Sequence, residues 1–140
     1  MQNKELTELR KQIREYLDNY DDMWGYEIHP ALMEYEKLLA PYGNIKRVYN
    51  GYLIIAEAYY RMGRPSLAAS AYEKALDINS SIEVLYSNKG TCKKCLKEYK
   101  DAISDYKKAL ELNPKNTKNM NRLASVYIIT GQIGEAKLLQ

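Results

Sequence analysis

The amino-acid sequence repeats itself with a period of 34 residues. When the chain is aligned with itself at that shift, aromatic and small residues fall on residues of the same kind: Tyr52 on Tyr86, Ala68 on Ala102, Tyr72 on Tyr106, Ala75-Leu76 on Ala109-Leu110, and Asn79 on Asn113. A second shift carries Gly90 to Ala124 and Ala102 to Ala136, and two shifts carry Gly63 to Gly131. A period of this length is typical of solenoids, in which each unit is one supersecondary element stacked on its neighbours. We therefore divide residues 49–140 into the units 49–82, 83–116 and 117–140, of which the last is cut short.

Each unit is predicted to form two helices joined by a tight turn. In the second unit the predicted helices cover residues 84–96 and 99–112, and apolar residues of the latter recur at spacings of three and four, as on one face of an amphipathic helix. Asn113-Pro114 ends this helix, because proline cannot continue it. Gly63 and Gly131 stand where the turn between two helices needs a permissive backbone.

This pattern resembles that of the tetratricopeptide repeat (TPR) family, whose signature places aromatic residues, small residues and a final proline at fixed offsets. The first unit carries Tyr52, Ala56, Tyr59, Ala68, Tyr72 and Ala75, the second Tyr86, Gly90, Tyr99, Ala102, Tyr106, Ala109 and Pro114, and the third Ala124, Tyr127, Gly131 and Ala136. The resemblance implies an all-α solenoid of about two and a half helix-turn-helix repeats, with small residues at close helix contacts and tyrosines in the core. Two positions depart from it: Ser80 replaces the final proline, and Lys93 replaces a packing tyrosine.

Residues 1–48 do not match the repeat. A helix is predicted over 5–20 and a second over 30–40, and the first carries an apolar stripe at Leu6, Leu9, Ile13, Tyr16 and Tyr20. We interpret the segment as a helical cap or a degenerate repeat, because the terminal units of a solenoid need a covered outer face. A dimer seam along the stripe is the alternative. At the other end the chain stops inside a predicted helix, so we expect a fragment of a longer protein.

Composition and motifs argue against a membrane protein and against an enzyme. No stretch approaches 18 consecutive apolar residues, and the N-terminus lacks the apolar segment of a secretory signal. With two cysteines and no such signal, we expect a cytoplasmic location. The single histidine, His29, has no identifiable catalytic partner, and the CxxC of Cys92 and Cys95 supplies only two of the four ligands of a zinc site. We therefore predict no enzyme activity, no cofactor and no metal.

Positive charge is concentrated in the C-terminal part of the chain. Residues 83–140 contain 11 Lys/Arg and 6 Asp/Glu, a net charge of +5, whereas residues 1–48 have a net charge of −2. A basic surface favours an anionic partner. Lys89, Lys93 and Lys97 form a basic stripe at helical spacing, but no exposed aromatic residues are interleaved with it, so we do not expect nucleic acid.

The resemblance also implies a binding site. In TPR solenoids the first helix of each repeat lines a concave groove that holds a peptide. The corresponding positions here are Asn50, Leu53, Glu57, Tyr60, Arg61, Val84, Ser87, Asn88, Thr91, Lys94, Lys118, Asn121, Arg122 and Ser125. We predict that they contact a peptide ligand.

Three of these residues match a more specific pattern. Some TPR domains of chaperone partners grip the C-terminal EEVD peptide of heat-shock chaperones with a two-carboxylate clamp of Lys, Asn, Asn, Lys and Arg. Asn88, Lys118 and Arg122 fall on the last three of those positions, whereas Leu53 and Glu57 replace the first two. Lys118 and Arg122 lie four residues apart on one predicted helix and can reach the same carboxylate, whereas Glu57 would repel it.

We therefore expect a protein-interaction module that binds an extended, acidic peptide, with an acidic chaperone C-terminus as the candidate ligand. Two alternatives stay open. One is an assembly scaffold that forms a homo-oligomer, and the other is the regulatory arm of a larger multidomain enzyme.

Overall fold

The computed structural model describes residues 2–19, 28–39 and 45–139, and this part of the chain is helical throughout, with turns between the helices. The helices are α1 (Gln2–Asp18), α2 (His29–Leu39), α3 (Ile45–Arg61), α4 (Pro65–Ile78), α5 (Glu83–Cys95), α6 (Tyr99–Leu112), α7 (Thr117–Ile129) and α8 (Ile133–Lys137). The prediction of an all-α solenoid is confirmed. The last residues of the two helices predicted in the N-terminal segment, at positions 20 and 40, lie outside the described residues. No helix in the described ranges combines the length and the apolar character that a bilayer crossing requires.

The N-terminal helices pack on each other and on α3. The predicted apolar stripe is buried in the core at Leu6, Ile13 and Tyr16, and Leu9 packs against the same cluster. Helix α2 contributes Leu32, Tyr35 and Leu39 to it. The stripe thus packs against other helices of the same chain. Tyr20, its last predicted member, lies beyond the part that the structure describes.

The remaining helices form the pairs α3/α4, α5/α6 and α7/α8, and each pair packs on the next. The turn inside each pair has the same hydrogen bonds. The amide of Arg64 donates to the Tyr59 carbonyl at 2.9 Å, that of Glu98 to Lys93 at 2.9 Å, and that of Gln132 to Tyr127 at 2.7 Å. This six-to-one bond is the Schellman motif, which needs one residue in the left-handed region.

Glycine supplies the left-handed residue in two of the three turns. Gly63 has a φ of 72° and Gly131 a φ of 79°, as predicted from their 34-residue register. In the middle turn the same position is Lys97, with a φ of 62°. A side chain with a Cβ disfavours this conformation, so the second turn carries a local strain that the other two lack.

Small residues lie where helices approach closely. Ala56, Ala68 and Ala102 are fully buried, as the repeat pattern predicted. Gly90 lies directly against the ring of Tyr106, so close that a Cβ would stand 2.8 Å from Cε1. Four of the tyrosines on signature positions are buried, which confirms their interpretation as core residues; they are Tyr59, Tyr72, Tyr106 and Tyr127.

Candidate functional site

The first helices of the second and third pairs, α5 and α7, lie side by side. The Ser87 hydroxyl on α5 donates to Oδ1 of Asn119 on α7 at 2.5 Å, and Nζ of Lys94 donates to Oγ of Ser125 at 3.0 Å. These bonds lie about two turns apart and tie α5 to α7 along their length. At the other end of the array, Arg61 of α3 donates from Nη1 to the Leu17 carbonyl of α1 at 2.7 Å. We call the surface formed by α3, α5 and α7 the first-helix wall.

Two buried tyrosines from the second helices reach this wall from behind. Nδ2 of Asn88 donates to the Tyr72 hydroxyl at 3.3 Å, and the hydroxyls of Thr91 and Tyr106 are hydrogen-bonded at 2.9 Å. Burial raises the pKa of both phenols. The phenols thereby fix the side chains of Asn88 and Thr91 on α5.

The charges around these phenols show which predicted residues come together. The pKa of Tyr72 is raised mainly by burial, and the carboxylate of Glu57 adds to the rise while the bond from Asn88 opposes it. For Tyr106 burial again raises the pKa, and the positive charge of Arg122 opposes the rise. Glu57 and Asn88 therefore lie near Tyr72, and Arg122 lies near Tyr106.

The basic pair on α7 lies near the start of the helix. The helix begins after Asn116, whose Oδ1 accepts from the amide of Asn119 at 3.2 Å. Lys118 is exposed in the first turn, and Arg122 is half-buried one turn later. Within the described ranges, no carboxylate lies at ion-pair distance from Lys118 or Arg122, so both charges are available to an anion.

Several other lysines, in contrast, are already paired. Two members of the predicted basic stripe have partners: Nζ of Lys89 lies 3.4 Å from Asp105, and Nζ of Lys93 lies 3.0 Å from Glu98. On α6, Nζ of Lys108 lies 3.3 Å from Glu111. The cations on α7 therefore differ from these lysines in their surroundings and not only in their place along the chain.

At the α3 end of the wall the predicted residues are arranged differently. Glu57 forms an ion pair with Arg61 at 3.2 Å, and both side chains are about half exposed. Leu53 and Asn50 are half-buried. The pairing with Arg61 offsets part of the repulsion that Glu57 would exert on an anion.

Several predicted contact residues serve the wall itself. Ser87 is 2% exposed, and its hydroxyl is used by Asn119. The hydroxyl of Thr91 is taken by Tyr106 and by the Ser87 carbonyl, and Lys94 is hydrogen-bonded to Ser125. Asn121, in contrast, is exposed on α7.

Sequence reasoning missed a polar network behind the basic pair. Oε1 of Glu83 accepts from Nδ2 of Asn113 at 3.0 Å, and its Oε2 accepts from Asn116 at 3.4 Å and from Asn119 at 3.5 Å. Oδ1 of Asn119 in turn accepts from Nη1 of Arg122 at 3.2 Å. The available signal was three asparagines within seven residues at the boundary between two units.

The two cysteines and the single histidine lie in different surroundings. Cys92 is fully buried in α5, where burial raises the pKa of its thiol to about 12, so the thiol stays protonated near neutral pH. Cys95 is exposed, and both cysteines are free. Nδ1 of His29 lies 3.0 Å from the Tyr59 hydroxyl at the start of α2. The described residues hold no group of three or more His, Cys, Asp or Glu side chains that could bind a metal.

Models of the tetratricopeptide repeat match residues 49–82, 84–116 and 105–137. The chain belongs to the tetratricopeptide repeat family. This confirms the resemblance seen in the sequence. TPR domains mediate protein–protein interaction.

Two relatives of this TPR chain are yeast proteins. It is 32% identical over 92 residues to heat shock protein STI1 of Saccharomyces cerevisiae, which covers 60% of this chain and 16% of that protein. It is 30% identical over 125 residues to the Hsp70/Hsp90 co-chaperone CNS1 of the same organism, covering 86% of this chain and 32% of that protein. The chain thus spans a third or less of the length of these relatives.

Solved structures share the fold. The first TPR of Spaghetti (RPAP3), bound to the HSP90 peptide SRMEEVD, superposes with a TM-score of 0.65 at 21% identity, over 91% of this chain and 94% of that one. The first TPR domain of human RPAP3 gives a TM-score of 0.63 at 22% identity, over 94% and 96% of the two chains. At this level of identity the likeness concerns the architecture alone.

Proposed function

We propose that this chain is a protein-interaction module whose first-helix wall binds an extended acidic peptide, anchored by Asn88, Lys118 and Arg122. The observation that carries the proposal is the pair of cations on α7, which has no carboxylate at ion-pair distance among the described residues. Arg122 is hydrogen-bonded to Asn119, which accepts from Ser87, the residue before Asn88 on α5. An arginine and a lysine one helical turn apart can grip one carboxylate, because the guanidinium offers a planar fork and the ammonium a point charge. Asn88 adds a neutral amide to the same site.

The α3 end of the wall would receive the rest of the peptide. Leu53 offers apolar surface there, and Glu57 disfavours a second carboxylate even though Arg61 pairs with it. We therefore expect an apolar or basic residue at that place in the peptide. Asn50 and Asn121 are the proposed polar contacts at the edges, and Ser87, Thr91 and Lys94 hold the wall in shape.

The relatives support a chaperone C-terminus as the ligand. STI1 is named a heat shock protein, CNS1 an Hsp70/Hsp90 co-chaperone, and the RPAP3 domain was solved with an HSP90 peptide. An acidic peptide of that kind fits the net charge of +5 over residues 83–140. We further propose a cytoplasmic location, in keeping with the two free thiols, and no enzyme activity in these residues.

The proposed organisation has residues 1–48 as a helical cap or degenerate repeat and residues 49–140 as the repeats 49–82, 83–116 and 117–140. Assembly is the second candidate function, because apolar side chains are exposed on and beside α7 and α8. Ile128 and Ile129 on α7 are more than half exposed there, beside Ile133 and Leu138. A role as the regulatory arm of a larger enzyme would need a catalytic part outside these residues.

The test is an isothermal calorimetric titration of the chain with the peptide SRMEEVD. Arg122→Ala should weaken binding about tenfold or more, because a charge-assisted hydrogen bond contributes roughly 1.5–3 kcal/mol. Added salt should weaken binding further. The double variant Lys118→Ala/Arg122→Ala should abolish it.

A matched control is the double variant Lys107→Ala/Lys108→Ala, which removes the same charge from exposed positions on α6. It should bind like the wild type. Equal affinity of the α7 double variant and the wild type would show that the first-helix wall is not the binding surface. The assembly candidate is checked separately by sedimentation of wild type and an Ile128→Asp/Ile129→Asp variant.

A further inference from the structure

We propose that the half-buried Glu83 and the buried Asn119 form a hydrogen-bonded relay that fixes the guanidinium of Arg122 and so determines how strongly the site selects a carboxylate. This inference rests on the proposed function, in which Arg122 receives an acidic peptide. It assigns positioning roles to two residues that the sequence pattern did not single out.

Asn119 occupies the centre of the relay and is 1% exposed. Its Oδ1 accepts from the Ser87 hydroxyl at 2.5 Å and from Nη1 of Arg122 at 3.2 Å, while its Nδ2 donates to Glu83. The Asn119 side chain is thus bonded on three sides, and Arg122 is hydrogen-bonded to a group that cannot rotate freely.

Glu83 determines which way the amide of Asn119 faces. A carboxylate can only accept hydrogen bonds, so the NH₂ group of Asn119 must point towards Glu83. The amide oxygen is then left facing Arg122 and Ser87, both of which donate. In the reversed orientation the NH₂ group would meet the N–H groups of the guanidinium, and the amide oxygen would meet the carboxylate. Further bonds from Asn113 and Asn116 hold Glu83 in place.

The relay therefore orients the guanidinium of Arg122 without neutralising its positive charge. A guanidinium held by a carboxylate would have its charge largely compensated, whereas Asn119 holds it through a neutral oxygen. One of the five N–H groups of Arg122 is used in this bond, and the others remain for a ligand. Holding the side chain in advance lowers the conformational entropy that is lost on binding, because ordering a long flexible side chain is unfavourable.

The relay predicts that Glu83→Gln changes the peptide affinity in the direction opposite to the one that Coulomb attraction alone would give. Glu83→Gln removes a negative charge near a cationic site, which by Coulomb attraction alone would strengthen the binding of an anionic peptide. In the relay, the glutamine no longer forces the amide of Asn119 into one orientation, so Arg122 loses its fixed position. We expect Glu83→Gln to weaken the binding of SRMEEVD about three- to tenfold, the loss that follows from ordering one long side chain on binding.

A double-mutant cycle with Arg122→Ala separates positioning from a general effect on the fold. In the Arg122→Ala background, Glu83→Gln should cause no further loss. The control Glu111→Gln removes the same charge from an exposed site on α6 and should leave binding unchanged. Asn119→Ala should reproduce the loss seen with Glu83→Gln; if that variant does not fold, Glu83→Gln alone decides, since it keeps the shape of the side chain.

The outcomes distinguish the relay from the proposed function. If Arg122→Ala weakens binding and Glu83→Gln strengthens it or leaves it unchanged, the relay is wrong and the proposed function stands. If Glu83→Gln weakens binding equally with and without Arg122, its effect does not pass through Arg122 and the relay is again wrong. If Arg122→Ala has no effect on binding, the proposed function and the relay both fail.

Discussion

Replacing Lys97 by glycine should stabilise the protein. Lys97 lies in the left-handed region with a φ of 62°, at the position that Gly63 and Gly131 occupy in the neighbouring turns. The backbone bonds of this turn, from Lys97 to the Lys94 carbonyl and from Glu98 to the Lys93 carbonyl, are both 2.9 Å long and do not depend on the side chain. The Lys97 side chain is exposed, so its removal should cost little.

The magnitude follows from two opposing terms. A residue with a Cβ pays roughly 1–2 kcal/mol in the left-handed region, and glycine avoids this. Glycine also gives the unfolded chain more freedom, which costs about 0.5–1 kcal/mol. We therefore expect a net gain of about 0.5–1 kcal/mol and a rise in Tm of about 2–4 °C for a chain of this size.

Urea denaturation followed by circular dichroism measures the change, with Lys97→Ala as the control that removes the side chain but keeps the Cβ. Lys97→Ala should gain nothing. The reverse changes, Gly63→Ala and Gly131→Ala, should each destabilise, and since no atom lies within 4 Å of a Cβ built at either glycine, the loss would be conformational and not steric. A Lys97→Gly protein no more stable than Lys97→Ala would refute the strain at this turn.

Two further predictions concern the α5/α6 pair. Gly90→Ala should lower the free energy of unfolding by about 1–2 kcal/mol, because overpacking against the Tyr106 ring exceeds the gain in helix propensity. Gly134 is a helical glycine with open space around it, so Gly134→Ala should be neutral or stabilising in the same denaturation assay. Equal effects of the two substitutions would contradict the close contact at Gly90. The pKa of Asp105 is raised above 3.8, chiefly by burial and against the opposing charge of Lys89. The folded state therefore binds this proton more tightly than the unfolded state, so the contribution of Asp105 to stability should grow as the pH falls through its folded pKa and be complete below 3.8. NMR titration of the Asp105 carboxyl would detect the raised midpoint, and a midpoint at or below 3.8 would contradict it.

The helix pairs, their order and much of the core could be predicted from the amino-acid sequence. These features depend on short-range chemistry, such as apolar spacing within a helix and glycine at a turn. The 34-residue period indicates that equivalent residues of each unit make equivalent packing contacts. The roles of Gly63, Gly131, Ala68 and Ala102 therefore follow from their places in the repeat. The family resemblance also placed Asn88, Lys118 and Arg122 on neighbouring first helices.

How the charges of the candidate site are held depends on the packing of the helices and could not be predicted in the same way. The hydrogen bonds that join Asn119 to Ser87 and to Glu83 connect residues 32 and 36 positions apart. No local pattern indicates which asparagine is buried or which lysine lies beside a carboxylate. Lys89 and Lys118 look alike in the sequence, yet Lys89 pairs with a buried aspartate, whereas Lys118 has no such partner among the described residues. The difference arises because the partners of each charge come from a neighbouring helix and are brought near it only by packing. The free energy of the pairing also depends on how deeply the two groups are buried. The residue type at one position in the sequence does not specify that burial.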